Sequence, residues 1–160
     1  MTQLTISVRR ELVAPIADVW RVIDDTARCA EWVVGALAVT GHHGSATVGK
    51  VYTERNRTVG PLTTASTWTV QEVAAPTLRI DSGSGFDPLH DMVNTFRLEP
   101  LGDDATMMTY QVDCRIGLGI LGRIIAPLLT RVLRAEFSRS MAQLEIVVRA
   151  ELAIERAGDR

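Results

Sequence analysis

The 160-residue sequence predicts one α+β domain in which a seven-stranded, curved antiparallel sheet wraps around a long C-terminal helix. Three observations lead to this prediction. The chain starts with a strand-like segment, a series of further strand-like segments is separated only by turn-forming residues, and apolar residues then recur with a helical period over roughly thirty positions. Because no helix separates the last six strands, their neighbours should pair antiparallel. The terminal helix is the element that is long and apolar enough to cover the sheet.

The first strand is predicted where Leu4, Ile6 and Val8 alternate with polar residues, as expected when one face of a strand is buried. Two short helices should follow, one over residues 16–23 and one over residues 27–32. Six further strands are predicted around residues 37–39 and over Val51–Thr58, Leu62–Val73, Thr77–Ser82, Met92–Leu98 and Thr106–Ile116.

The last helix is predicted from apolar residues that recur every three or four positions between Leu121 and Val148. Pro127 lies inside this pattern, so we expect a short helix up to Ala126 and a new start after it. Residues 1–155 should form a single ligand-binding domain, and residues 156–160 should be a frayed tail.

The composition and net charge of the chain limit the kinds of partner that it is expected to bind. Hydrophobic residues make up 46% of the chain and charged residues 22%, which is typical of a folded globular protein. The formal net charge of −2 offers no positive field for a phosphate backbone, so nucleic acid is not an expected partner. Cys29 and Cys114 are expected to be free thiols, and no signal peptide or spanning segment is visible. We expect a cytoplasmic monomer or homodimer without cofactor, metal or stable membrane insertion.

Several stretches resemble a known superfamily. They are Val13–Trp20 with Ile23–Asp25, Cys29–Trp32, Thr67–Val70 before Ala75–Pro76, Phe96–Gly102 and Gly119–Leu129. Together they resemble the helix-grip, START-like superfamily often labelled SRPBCC, in particular its polyketide cyclase/dehydrase and lipid-transport branch. The resemblance covers nearly the whole chain and implies a cavity for a small hydrophobic molecule between the sheet and the C-terminal helix.

Candidate site residues follow from strand parity and helix spacing. Trp68, Phe96 and Tyr110 share the face of their strands that should point inward, although core packing explains them as well as ligand contact does. The resemblance implies that Trp32 lies at the cavity mouth, and Arg55 is a candidate for orienting a polar ligand end. The predicted ligand-binding residues are Trp32, Arg55, Trp68, Phe96, Tyr110, Leu133, Phe137 and Met141.

Three functional classes stay open at this point. A carrier or binding protein is favoured because no nucleophile or nucleotide-binding motif is present. A polyketide cyclase or dehydratase would need proton transfer by Tyr110, Arg55 or His90. A protein-interaction module would need an exposed apolar patch. Arginines on the last helix interleave with glutamates, which favours a salt-bridged, solvated face over the alternative of a basic face that binds a membrane surface.

Overall fold

The protein is described by a computed structural model over residues 1–57 and 62–159. In chain order, its elements are β1 (Thr2–Leu12), α1 (Ile16–Asp24), a 3₁₀ turn (Thr26–Arg28), α2 (Cys29–Trp32), β2 (Ala36–Thr40), β3 (Val51–Arg57), β4 (Thr63–Ala74), β5 (Leu78–Ser84), β6 (Leu89–Pro100), β7 (Thr106–Ile116) and α3 (Gly119–Gly158). The predicted α+β order of elements is confirmed.

The seven strands form one antiparallel sheet in the order β1-β7-β6-β5-β4-β3-β2. Consecutive strands from β2 to β7 are therefore neighbours, and β1 closes the far edge beside β7. The register shifts at three places: between β2 and β3, between β4 and β5, and between β6 and β7. Such irregularities bend and twist a sheet, which suits one that curves around a helix.

The core lies between the concave face of the sheet and the helices. Even-numbered side chains of the central strands, such as Trp68, Phe96 and Tyr110, are buried there as strand parity predicts. Phe137 and Met141, from the middle of α3, meet them from the helical side. The concave face and α3 together therefore enclose the volume that matters for function.

The structure corrects the prediction at Pro127. Helix α3 runs without interruption from Gly119 to Gly158, with Pro127 inside it. A proline removes one hydrogen bond of the helical ladder, and the turns on either side continue across that loss. The helix also extends into the segment that was expected to be frayed. Thr58, the predicted turn at residues 59–61 and the last residue, 160, lie outside the described residues.

Candidate functional site

A pocket of about 220 Å³ lies between the concave face of the sheet, the end of α2 and the middle of α3. Most of its wall is apolar or aromatic, and a few polar side chains interrupt that wall. The lining includes Cys29, Tyr52, Glu54, Trp68, Phe86, Asn94, Phe96, Tyr110, Leu133, Glu136, Phe137 and Ser140.

Five of the eight predicted ligand-binding residues line this pocket: Trp68, Phe96, Tyr110, Leu133 and Phe137. The remaining three, Trp32, Met141 and Arg55, are outside the pocket lining.

Trp32 is fully buried, not at an open mouth as expected, and its ring packs edge-on against Phe96 at 5.5 Å. Within the described residues its Nε1 has no hydrogen-bond partner. Met141 is likewise fully buried in the core. Trp32 and Met141 therefore lie in the core, behind the residues that line the pocket.

Arg55 is the clearest correction, because its side chain is exposed on the outer face of the sheet. Within β3, the inward positions are Tyr52 and Glu54, both of them buried, whereas Val51 shares the outer face with Arg55. The strand begins with two apolar residues in a row, so its sequence does not reveal which parity is buried. The pairing of Tyr52 with Trp68 across β3 and β4 is the signal that fixes the inner face.

A row of aromatic rings forms one side of the pocket. Tyr110 and Phe137 stack with their ring centroids 4.1 Å apart, and Phe96 lies 4.9 Å from Tyr110. Trp68 and Phe86, which also line the pocket, have their ring centroids 5.3 Å apart. Offset and edge-on ring pairs of this kind are favourable packing, and their faces also offer a flat surface to an unsaturated ligand.

Glu54 is the polar residue of the pocket that sequence reasoning missed. Its Oε2 accepts a hydrogen bond from the indole Nε1 of Trp68 at 3.0 Å. Burial raises the pKa of the Glu54 carboxyl to about 7, and the hydrogen bond from Trp68 opposes part of that rise. A carboxyl group with this pKa exchanges its proton near neutral pH, as an acid–base group must.

Asn94 presents a second acceptor to the pocket. The side chain is buried on β6, and among the described residues its Oδ1 has no hydrogen-bond partner. A buried carbonyl without a hydrogen-bond partner costs about 1–3 kcal/mol of folding stability, so such groups are uncommon in folded proteins.

A second buried polar cluster lies next to the pocket, under α1. The Arg79 guanidinium pairs with Asp81 at 2.6 Å and donates to the backbone carbonyl of Ile23 at 2.5 Å. It also donates to the Tyr52 hydroxyl at 2.9 Å, which in turn donates to Asp81 at 2.8 Å. Both charged side chains are fully buried and well paired, which identifies this cluster as part of the scaffold.

The remaining reactive side chains are the Cys29 thiol, in the pocket wall, and two histidines outside the pocket lining, His42 and His90. Burial raises the pKa of the Cys29 thiol to about 12, so the thiol stays protonated. His90 lies on β6, 3.7 Å from Asp87, and faces a different groove. His42 contacts Thr26 at 2.9 Å. In residues 1–57 and 62–159, no group of three or more His, Cys, Asp and Glu side chains is arranged to hold a metal ion.

The fold defines a class: a helix-grip domain in which a pocket lies between the sheet and the terminal helix. Residues 3–149 match the family model described as "Polyketide cyclase / dehydrase and lipid transport". The chain therefore belongs to that polyketide cyclase/dehydrase and lipid-transport family. No curated protein matches the chain in sequence.

Solved structures share this fold at low sequence identity. The Zhui aromatase/cyclase from Streptomyces sp. R1128 superposes with a TM-score of 0.77 at 14% identity, over 94% of this chain and 96% of that one. A norcoclaurine synthase point mutant from Thalictrum flavum, in complex with a transition-state analogue, has a TM-score of 0.69 at 16% identity, covering 94% and 96% of the two chains. A protein from Chromobacterium violaceum has a TM-score of 0.67 at 22% identity, over 90% and 96%.

These structural neighbours establish the fold that they share with this chain. No helix within the described ranges is long and apolar enough to cross a membrane.

Proposed function

We propose that the protein binds a compact apolar molecule, polyketide-like or aromatic in character, in the pocket between the sheet and α3. The observation that carries this proposal is the lining itself, which is mostly apolar and aromatic and includes Glu54 and Asn94 among its polar side chains. Apolar walls with a few convergent polar groups are typical of small-molecule sites.

The volume of the pocket limits the size of the ligand that it can hold. The pocket of about 220 Å³ exceeds the ~150 Å³ of a cavity that holds benzene, and it is smaller than the ~300–1,000 Å³ of drug-sized sites. One or two fused rings fit this range better than a long acyl chain does. The acceptors favour a ligand that carries a hydroxyl or another donor over one that carries a carboxylate, because Glu54 is a carboxylate itself when ionised.

A fluorescence titration with 2-naphthol tests the proposal, since this probe has two fused rings and one hydroxyl. Leu133→Trp fills the pocket from α3 and should weaken binding by about tenfold or more. Val132→Trp is the matched control, because Val132 is the adjacent, exposed helix residue and does not line the pocket. Equal affinities of the wild type and Leu133→Trp, or no binding by the wild type, would contradict the proposal. Native mass spectrometry of the purified protein should show a retained apolar molecule.

Glu54 favours catalysis by the same pocket as a second candidate function. Its carboxylate could accept the proton of a carbon between two ketones, after which a carbon–carbon bond forms to a second ketone of the same chain. The oxygen of the attacked ketone becomes an alkoxide, and the Glu54 carboxyl returns its proton to that oxygen to give a hydroxyl. In a second cycle the carboxylate takes the remaining proton of the attacking carbon and donates it to this hydroxyl, which leaves as water as a carbon–carbon double bond forms. Arg55 and His90 lie outside the pocket lining and have no part in this proposal.

Turnover of a poly-β-ketone by the wild type and by Glu54→Gln separates the two functions. A cyclase should lose about a hundredfold or more in rate with Glu54→Gln, and its wild-type rate should change with pH around 7. Glu99→Gln, on the exposed end of β6, is the control. Turnover that Glu54→Gln leaves unchanged would exclude the acid–base role and keep the binding function.

A further inference from the structure

The first turns of α3 carry an exposed apolar stripe, formed by Ile120, Leu121, Ile124, Leu128 and Val132. Ile120, Ile124 and Leu128 are spaced by four residues and so lie along one line of the helix. Their side chains are 80%, 69% and 66% exposed. The stripe is about 18 Å long from residue 120 to residue 132.

The opposite face of these helical turns packs against the rest of the domain, so the stripe faces outward. Gly122 is buried against Ile116: a Cβ atom at Gly122 would lie 3.1 Å from the Ile116 Cγ2. Leu133 reaches the pocket from this inner side. This part of α3 is therefore apolar on both faces, and a contiguous exposed apolar patch indicates an interaction surface.

The charges beside the stripe are all positive. No acidic residue occurs between Asp113 and Glu136, whereas Arg123, Arg131 and Arg134 are exposed there. In the part of the chain that the structure describes, none of these three arginines pairs with a carboxylate.

The second half of the helix differs in this respect. Arg149 pairs there with Glu145 at 3.8 Å, and Arg21 of α1 reaches Glu155 at 3.2 Å. Of the arginines from which the sequence predicts a salt-bridged face, Arg149 has its pair in Glu145, whereas among the described residues Arg131 and Arg134 have no carboxylate within salt-bridge distance.

We propose that the apolar stripe and its three arginines dock the protein on the surface of an anionic lipid bilayer, with α3 lying in the interface plane. An amphipathic segment with arginines beside a band of Ile and Leu is suited to apolar burial below a negatively charged surface. A second copy of the chain fits less well, because a two-fold contact along the stripe would bring the two sets of arginines together. This interaction goes beyond the pocket function and does not depend on it.

The position of the stripe suggests why such docking is useful. The stripe ends at Val132, and the next residue, Leu133, lines the pocket. A protein seated on this face holds one wall of its pocket close to the bilayer, where an apolar molecule can pass between the two.

Vesicle flotation tests the proposal, with vesicles of equal parts phosphatidylglycerol and phosphatidylcholine compared with phosphatidylcholine alone. The wild type should bind the anionic vesicles, and added salt should weaken that binding. Ile124→Ser with Leu128→Ser should reduce binding by about tenfold or more. Ile146→Ser with Ile154→Ser is the matched control, since these residues are 61% and 72% exposed on the second half of α3. The control should bind like the wild type.

The charge component has its own variants. Arg123→Gln with Arg131→Gln should weaken binding to anionic vesicles by about fivefold for each arginine. Arg156→Gln, near the end of α3, should leave binding unchanged.

Three results would overturn the proposal. One is no binding of the wild type to anionic vesicles, and another is equal binding by the wild type and the Ile124/Leu128 variant. The third is a wild-type dimer in sedimentation that this variant converts to a monomer without any vesicle binding, which would assign the face to a second copy. The 2-naphthol titration of the same variants should be unchanged, so failure of vesicle binding and failure of pocket binding are distinguishable.

Discussion

Two buried polar groups lie on the concave face of the sheet, and they differ in how completely their hydrogen bonds are made. In the Arg79 cluster (Tyr52, Arg79 and Asp81), the guanidinium, the carboxylate and the phenol are bonded to one another, and the guanidinium also bonds to a backbone carbonyl. In the pocket group (Glu54, Trp68 and Asn94), the Glu54 carboxyl has a pKa raised by burial, and the carbonyl of Asn94 has no hydrogen-bond partner among the residues that the structure describes.

This difference separates scaffold from site. In the Arg79 cluster the charges are already paired, so the cluster holds the scaffold, and only Tyr52 of this cluster reaches the pocket lining. Buried acceptors with unused bonding capacity cost stability, and a ligand that satisfies them recovers that free energy. Substitutions in the Arg79 cluster should therefore affect the free energy of unfolding most, and substitutions in the pocket group should affect ligand binding.

Arg79→Met should have the largest effect. It leaves Asp81 buried without its partner, so the free energy of unfolding should fall by about 3–5 kcal/mol. Urea denaturation measures this loss. Arg97→Met, at an exposed position of β6, should change it by less than about 0.5 kcal/mol. A loss below about 1 kcal/mol in Arg79→Met would contradict the structural role of the cluster.

Glu54→Gln should stabilise the protein in a pH-dependent way. Burial raises the folded-state pKa of this carboxyl from 4.5 to about 7, so the wild type loses stability as pH rises through that interval. The glutamine keeps an acceptor for Trp68 and carries no charge. At pH 8 the variant should gain up to about 3 kcal/mol, and the gain should vanish below pH ~4.

Unfolding measured across this pH range provides the check, with Glu99→Gln as the exposed control. A gain that is the same at acid and alkaline pH would show that the Glu54 carboxyl is not the group that titrates.

Asn94→Leu should separate stability from binding. Removing the unpaired carbonyl should leave the free energy of unfolding unchanged or raise it by about 1 kcal/mol. The affinity for 2-naphthol should fall by about fivefold, since one acceptor for its hydroxyl is lost. Thr95→Val alters the opposite face of the same strand and should leave that affinity intact. A large loss of stability in Asn94→Leu would place Asn94 in the scaffold instead.

Tyr110→Phe should have the smallest effect. The ring that stacks on Phe137 at 4.1 Å is retained, and only the hydroxyl is removed. Both the free energy of unfolding and the 2-naphthol affinity should change by less than about 1 kcal/mol. If Tyr110→Phe loses more affinity for 2-naphthol than Asn94→Leu does, the polar end of the ligand binds at Tyr110 and not at Asn94.

Sequence reasoning reached the fold and much of the apolar pocket wall because both depend on local periodicity. Alternation in β4, β6 and β7 identified Trp68, Phe96 and Tyr110 as inward residues, and helical spacing identified Leu133 and Phe137.

The same reasoning failed in β3, where adjacent apolar residues left the parity ambiguous. It chose Arg55, whereas the inward polar residue is Glu54. It also split α3 at Pro127, because local propensity does not reveal that a long helix continues across one lost hydrogen bond.

The sequence by itself determined the order of elements, the antiparallel sheet and the terminal helix, since hydrophobic period and turn residues act over a few positions. Only the tertiary structure decided which polar groups share an interior and which arginines of the described residues pair with a carboxylate. Hydrogen bonding between Arg79 and Ile23, or between Trp68 and Glu54, joins residues that are far apart in the chain. Such pairing is set by strand register and packing, and no short-range pattern encodes it.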